Sequence, residues 1–161
     1  MTMTYFASMT INSLHWTDPR RVNYFSSRLA YIHQLLIATR IGTKLSLQLM
    51  PTLVHKNLVA LRIDQNDIPV MGGGMSIKVR KHISVNAEYY YILPGQAAKE
   101  ANNSLSLGVD IETGGHIFQL FLTNSHPLFE RGFITETQGK WTKGDIYFGF
   151  NISRAFSIAN K

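Results

Sequence analysis

The chain has no cysteine, which excludes a disulfide-stapled scaffold and any zinc site built on thiolates while leaving the compartment open. Charge is scarce as well: Asp, Glu, Lys and Arg make up 16% of the residues, against about 25% in soluble globular domains. No linker, low-complexity run or shift in composition divides the sequence, so residues 1–161 read as a single domain. His15, His33, His55, His82, His116 and His126 show neither HxxxH nor Cys/His spacing. No metal site is therefore expected, and these histidines read as turn or rim residues. Gly72, Gly73 and Gly74 do not lead into a phosphate-binding pattern and read instead as a bulge or kink within a strand. The net charge is +6, yet the cations are scattered and no basic stripe interleaves with aromatics. Nucleic acid is thus not an expected partner, and contact with anionic lipid headgroups is the simpler account of the charge. Nothing in the sequence calls for a cofactor.

What the sequence does contain is a rhythm of two-faced strands, joined alternately by tight turns and long loops. Leu105, Leu107, Val109 and Ile111 alternate with Ser106, Gly108, Asp110 and Glu112 before Gly114 and Gly115, the period of a strand entering a two-residue turn. Folding the chain there sets Ile111 opposite Phe118, Val109 opposite Leu120 and Leu107 opposite Leu122. On the other face, Asp110 meets Gln119, Ser106 meets Thr123, and Phe121 covers Gly108, which has no side chain to pack. A one-residue slip would mix the faces, so turn and register support each other.

Two further hairpins follow from the same phase argument with three-residue turns. Closure at Ile41 and Leu45 around Gly42, Thr43 and Lys44 pairs Ile37 with Leu49 and Gln34 with Thr52. Closure at Val79 and Ile83 around Arg80, Lys81 and His82 pairs Ile77 with Val85 and Ser76 with Asn86. Long connections run from Asn57 to about Pro69, from Pro94 to Asn103 and from Ser125 to Lys143. The last strand spans Gly144 to about Ile158, and a first strand covers about Met3 to Asn12, before a polar loop through Asp18, Pro19, Arg20 and Arg21. The expected fold is all-β: an antiparallel up-and-down β-barrel of about eight strands, with no helix longer than a turn or two.

Alternation alone does not say which face is wet, because a soluble barrel hides its apolar face and a membrane barrel turns it to lipid. Composition decides. Solvated strand faces are usually rich in Lys and Glu, whereas here the polar face carries small neutral groups such as Ser46, Ser84, Ser106, Gly108, Gly149 and Ser153. Strands of ten or more residues also suit a tilted membrane crossing better than the five or six usual in soluble sheets. Candidate lumen-lining polar residues are Gln48, Asn86, Glu88, Ser106, Asp110, Glu112, Gln119 and Asn151. The carboxylates among them are expected to pair with Lys78 or Arg80. Arg154 breaks the face parity, but it lies near a strand end where the cost falls to about 0–1 kcal/mol. Tyr31, Tyr89, Tyr91 and Phe156 are candidates for interfacial aromatic belts. If short turns are periplasmic and long loops external, both termini are periplasmic.

The segments HQLLIATRIGTKLSLQLMPTLVHKNLV, DQNDIPV, ISVNAEYYYILPGQ, NSLSLGVDIETGGHIFQLFLTNS and RGFITETQGKWTKGDIYFGFNISRAF together resemble an uncharacterised outer-membrane β-barrel family of Bacteroidota, over roughly Phe25 to Phe156. The resemblance implies an outer-membrane-type barrel in the lipid bilayer, inserted by the barrel-assembly machinery. It carries no activity and no functional residue. Met1 to Asn12 has no basic n-region, apolar h-region or small-residue cleavage site. The expectation is therefore the C-terminal portion of a longer barrel.

The leading functional expectation is a structural or small-solute transport component of the outer membrane, with the solute unspecified. Its alternative is a soluble lipocalin-like barrel enclosing a small apolar ligand. A rim enzyme using His126 and Glu130 ranks third, since nothing in the sequence places a nucleophile beside them, and no catalytic residue is assigned.

Overall fold

The computed structural model describes residues 1–16, 23–59 and 63–154. Asp18, Pro19, Arg20, Arg21, Phe156 and Ile158 lie outside the described residues. Eight strands follow one another: β1 (Thr2–Ile11), β2 (Leu29–Ile41), β3 (Leu45–Lys56), β4 (Asp67–Arg80), β5 (Ile83–Ile92), β6 (Ser104–Thr113), β7 (His116–Thr123) and β8 (Tyr147–Arg154). Among the described residues helix is confined to α1 (Ala97–Glu100), α2 (Glu130–Thr135) and two single 3₁₀ turns. All strands lie in one sheet in sequence order, each antiparallel to its neighbour.

Among the described residues β1 and β8 are the two edges and do not pair with each other, so the sheet is a strongly curled half-barrel. The tight turns lie at one end and the long connections at the other. That separation follows from hairpin topology: each strand reverses its neighbour, so alternate connections share an end.

Local sequence sets the registers. Gly114 and Gly115 have φ of 51° and 92°, the positive values that a two-residue hairpin turn needs at both central positions. Ile111 faces Phe118, Gly108 faces Phe121 and Ser106 faces Thr123, as the alternation predicts. Ile41 faces Leu45, Ile37 faces Leu49 and Gln34 faces Thr52. The β2–β3 ladder skips Leu35 and Leu36, which lie opposite Pro51 and Met50; a proline inside a strand has no N–H to give its neighbour.

Three local expectations are corrected. Arg80, not Val79, faces Ile83, and the register shifts between Lys78 and Arg80. Val79 is thus an extra residue in a bulge before a two-residue turn, while Ile77 still faces Val85 and Ser76 still faces Asn86. The Gly72–Gly74 run is no bulge, for the register passes through it unbroken. Gly72 instead makes room: a Cβ there would stand 2.7 Å from Tyr90 Cε1 and 2.9 Å from Met50 Cβ. Finally, β8 begins at Tyr147 rather than Gly144, because Gly144 turns the chain with φ of 79° after a 3₁₀ turn at Trp141–Lys143.

The two faces differ as the pattern demands. The convex face carries exposed Leu47, Leu49, Met75, Leu107, Leu122, Phe148, Phe150 and Ile152. Tyr31, Tyr89 and Tyr91 share that face toward the loop end. His33 departs from the turn-or-rim expectation: it lies within β2 on the convex face, its Nδ1 2.6 Å from the Tyr5 hydroxyl. Each ring then satisfies a polar atom of the other.

The concave face is divided along its length. Toward the loops Ile32, Val54, Ile68, Val70 and Ile92 are buried in an apolar cluster that Ile134 of α2 completes. Toward the turns the same face carries Gln48, Ser76, Asn86, Ser106, Asp110 and Asn151.

Candidate functional site

The concave face holds a cavity of about 360 Å³ lined by β5, β6, β7 and β8 and by the start of the β7–β8 connection. Six of the polar residues proposed from the sequence line it: Asn86, Glu88, Ser106, Asp110, Gln119 and Asn151. Period-two alternation puts them on one face, and the register then stacks them in rows. Asn86, Gly108, Phe121 and Gly149 form one row across four strands, and Ser84, Asp110, Gln119 and Asn151 form the next.

Gln48 and Glu112 share this face but lie outside the cavity. Gln48 is on β3 opposite Gly74, and Glu112 stands exposed beside the last turn. The carboxylates do not pair with Lys78 or Arg80: no salt bridge joins them among the described residues. Lys78 faces Ser84, whose other neighbour is Asp110, so two strand spacings of about 4.8 Å each separate this cation from that acid. Arg80 is further down the turn and exposed.

Hydrogen bonds order the wall. Gln119 Nε2 donates to Asp110 Oδ1 at 3.2 Å, and Ser106 Oγ donates to Thr123 Oγ1 at 2.9 Å. Above them the Tyr90 hydroxyl donates to Glu88 Oε1 at 2.9 Å and accepts from Gln34 Nε2 at 3.3 Å. Gln34 Nε2 also donates to Thr52 Oγ1 at 2.9 Å. This belt of Glu88, Tyr90, Gln34 and Thr52 marks the boundary between the polar and apolar halves of the face.

The apolar half is filled by the β7–β8 connection, residues 124–146, which folds inward over the sheet. Ile134 is 1% exposed within the cluster, and the Phe133 ring packs 5.4 Å from that of Tyr90. Polar ties hold the segment at its margins. Lys56 Nζ lies 2.8 Å from Glu136 Oε1. Arg131 Nε lies 3.3 Å from the same oxygen, within ion-pair range but not aligned as a hydrogen bond. Asn102 N donates to Thr137 O at 2.7 Å, and Asn102 Nδ2 to Gln138 O at 2.8 Å. Asn124 Nδ2 donates to Gly139 O at 2.9 Å, and Trp141 Nε1 to Leu105 O at 3.0 Å. The connection thus behaves as an internal plug at the loop end.

Sequence reasoning missed this plug. The signal was the concave phase itself, which changes from polar to apolar near the loops at Ile32, Val54, Ile68, Val70 and Ile92. No hydrogen bond or ion pair joins His126 to Glu130 among the described residues: the His126 ring meets Tyr147 edge-on at 5.1 Å, and Glu130 opens α2.

The apolar convex face is exposed and the polar groups line the concavity, which is the reverse of a soluble ligand-binding barrel and the arrangement of a sheet that meets hydrocarbon. No curated protein and no solved structure matches the chain. A family model described as "Membrane bound beta barrel domain (DUF5777)" matches residues 1–156. The chain therefore belongs to this family of membrane-bound β-barrel domains.

Proposed function

We infer that this membrane β-barrel protein serves small-solute passage across an outer membrane, with the polar concave wall as the solute-facing surface and the β7–β8 connection as a closure at its loop end. The observation that carries this reading is the division of one concave face into a polar, cavity-bearing half and an apolar half sealed by Ile134. A barrel serving only as a structural element has no need of a polar cavity beneath an inward-folded loop. The separation of short turns from long loops supports an outer-membrane setting with the turns periplasmic, and insertion by the barrel-assembly machinery belongs to the same proposal. Among the described residues the outer edges of β1 and β8 have no neighbouring strand; in hydrocarbon such edges require strand partners, and the concave wall becomes a lumen when they are paired. The role is one of carriage rather than catalysis.

Solute flux into proteoliposomes tests this. The intact protein is expected to pass small solutes slowly, and replacement of residues 127–136 by a short Gly-Ser linker is expected to increase the flux at least tenfold. Absence of flux from both forms would leave a structural role in its place.

A further inference from the structure

We propose that the concave pocket binds a small neutral polyhydroxylated solute, a sugar or sugar alcohol, with Phe121 as the surface on which it stacks. The proposal rests on the solute-facing reading of the concave wall given above and names the chemistry of what that wall accepts.

The floor of the pocket is aromatic by construction. Phe121 stands between Gly108 on β6 and Gly149 on β8 in one row of the sheet. Neither neighbour has a side chain, so the ring lies over the wall, its outer half covering Gly149. It lines the cavity and remains partly exposed. A ring held against backbone offers an apolar surface to the C–H groups of a sugar ring through weak C–H contacts.

Around that floor the polar groups offer donors and acceptors together. The carboxamides of Asn86 and Asn151 have no hydrogen-bond partner among the described residues. They occupy the two ends of adjacent rows, with Phe121 between them along the wall. Asp110 and Gln119 spend one oxygen and one N–H on each other, and Asp110 Oδ2 and Gln119 Oε1 have no hydrogen-bond partner among the described residues. Hydroxyl groups both donate and accept, so a polyol satisfies carboxamides and carboxylate alike.

Other classes fit less well. Among the described residues no Lys, Arg or His lines the pocket, so an anion would meet two carboxylates and no counter-charge. An organic cation would satisfy the acceptors but leave the Asn86 and Asn151 N–H donors unmet. A purely apolar ligand would strip water from all of these groups without replacing their bonds. The volume of about 360 Å³ falls at the small end of ligand pockets, about 300–1,000 Å³.

The test is titration of the full chain, purified in a sugar-free amine-oxide detergent, with glucose, maltose and sorbitol as neutral probes, spermidine as a cation and inorganic phosphate as an anion. Saturation-transfer NMR or calorimetry reads binding. Saturable binding of at least one neutral probe is expected, weakened tenfold or more by Phe121→Leu and by Asn151→Ala, with phosphate not bound. Asn151 is exposed on the wall, so its variant decides the matter if Phe121→Leu does not fold. The proposal is overturned if no neutral probe binds saturably, if neither variant alters the binding, or if spermidine binds more tightly than every neutral probe. Flux without saccharide binding would remove this proposal alone, and binding without flux would remove only the transport reading.

Discussion

Truncation of Ile134 is the most direct probe of the internal plug. This side chain is 1% exposed and packs with Ile32, Met50, Val54, Ile68, Val70, Tyr90 and Ile92, although it is carried by a connection rather than a strand. Buried Ile→Ala changes cost about 2–5 kcal/mol, combining lost transfer energy with the cavity left behind. The lower part of that range, about 2–4 kcal/mol, applies to a short helix that can settle partly into the gap. Because the strands hold one another by backbone ladders, this loss falls on the docking of α2 and not on the sheet. At about 1.4 kcal/mol per decade, the undocked population rises by roughly 30-fold to nearly 1,000-fold. The assay uses the absence of native cysteine: Thr137→Cys places a single thiol at a position that is 0% exposed, where maleimide reacts only when the plug leaves. When opening and closing are fast, the labelling rate follows the open population. Adding Ile134→Ala is expected to accelerate labelling by at least 30-fold with strand circular dichroism unchanged. Acceleration of less than threefold would refute the view that this packing holds the connection in place.

Gly72→Ala is expected to destabilise the sheet by about 1–3 kcal/mol through overpacking, since the new Cβ would stand 2.7 Å from Tyr90 Cε1; denaturant midpoints should show the loss, and Tyr90→Leu in the same chain should reverse part of it. Leu107→Arg places a cation midway along β6 on the exposed convex face and is expected to cost about 2–4 kcal/mol in lipid, whereas Val79→Arg beside the turn costs about 0–1 kcal/mol. Equal unfolding midpoints for these two variants in bilayers would contradict a lipid-facing convex surface.

The parts of the fold legible in sequence are those set by neighbours a few residues apart. The Gly114–Gly115 hairpin could be read in full, because period-two alternation and a pair of residues suited to positive φ at both central positions agree on one register. The Val79 turn was misread by one residue, since a bulge restores the phase on both sides and leaves the alternation nearly unchanged. The Gly72–Gly74 run was misread because the space it opens is filled by Tyr90, a residue on the neighbouring strand. Six polar residues of the cavity wall were identifiable from face parity alone, but parity extends the whole length of a strand and so also selected Gln48 and Glu112, which the cavity excludes.

By itself the sequence determined an all-β chain, its strand order, two hairpin turns, the strand pairing of a third hairpin and the two chemically distinct faces, because alternation, turn chemistry and scarcity of charge are local properties. Only the tertiary structure decided where the sheet ends, how the concave face divides and what closes it. Lys56 and Glu136, 80 residues apart, meet at 2.8 Å, and Ile134 of the last connection shares one buried cluster with Ile32 of β2. Such contacts depend on curvature accumulated over all the intervening strands, which no single segment of sequence encodes.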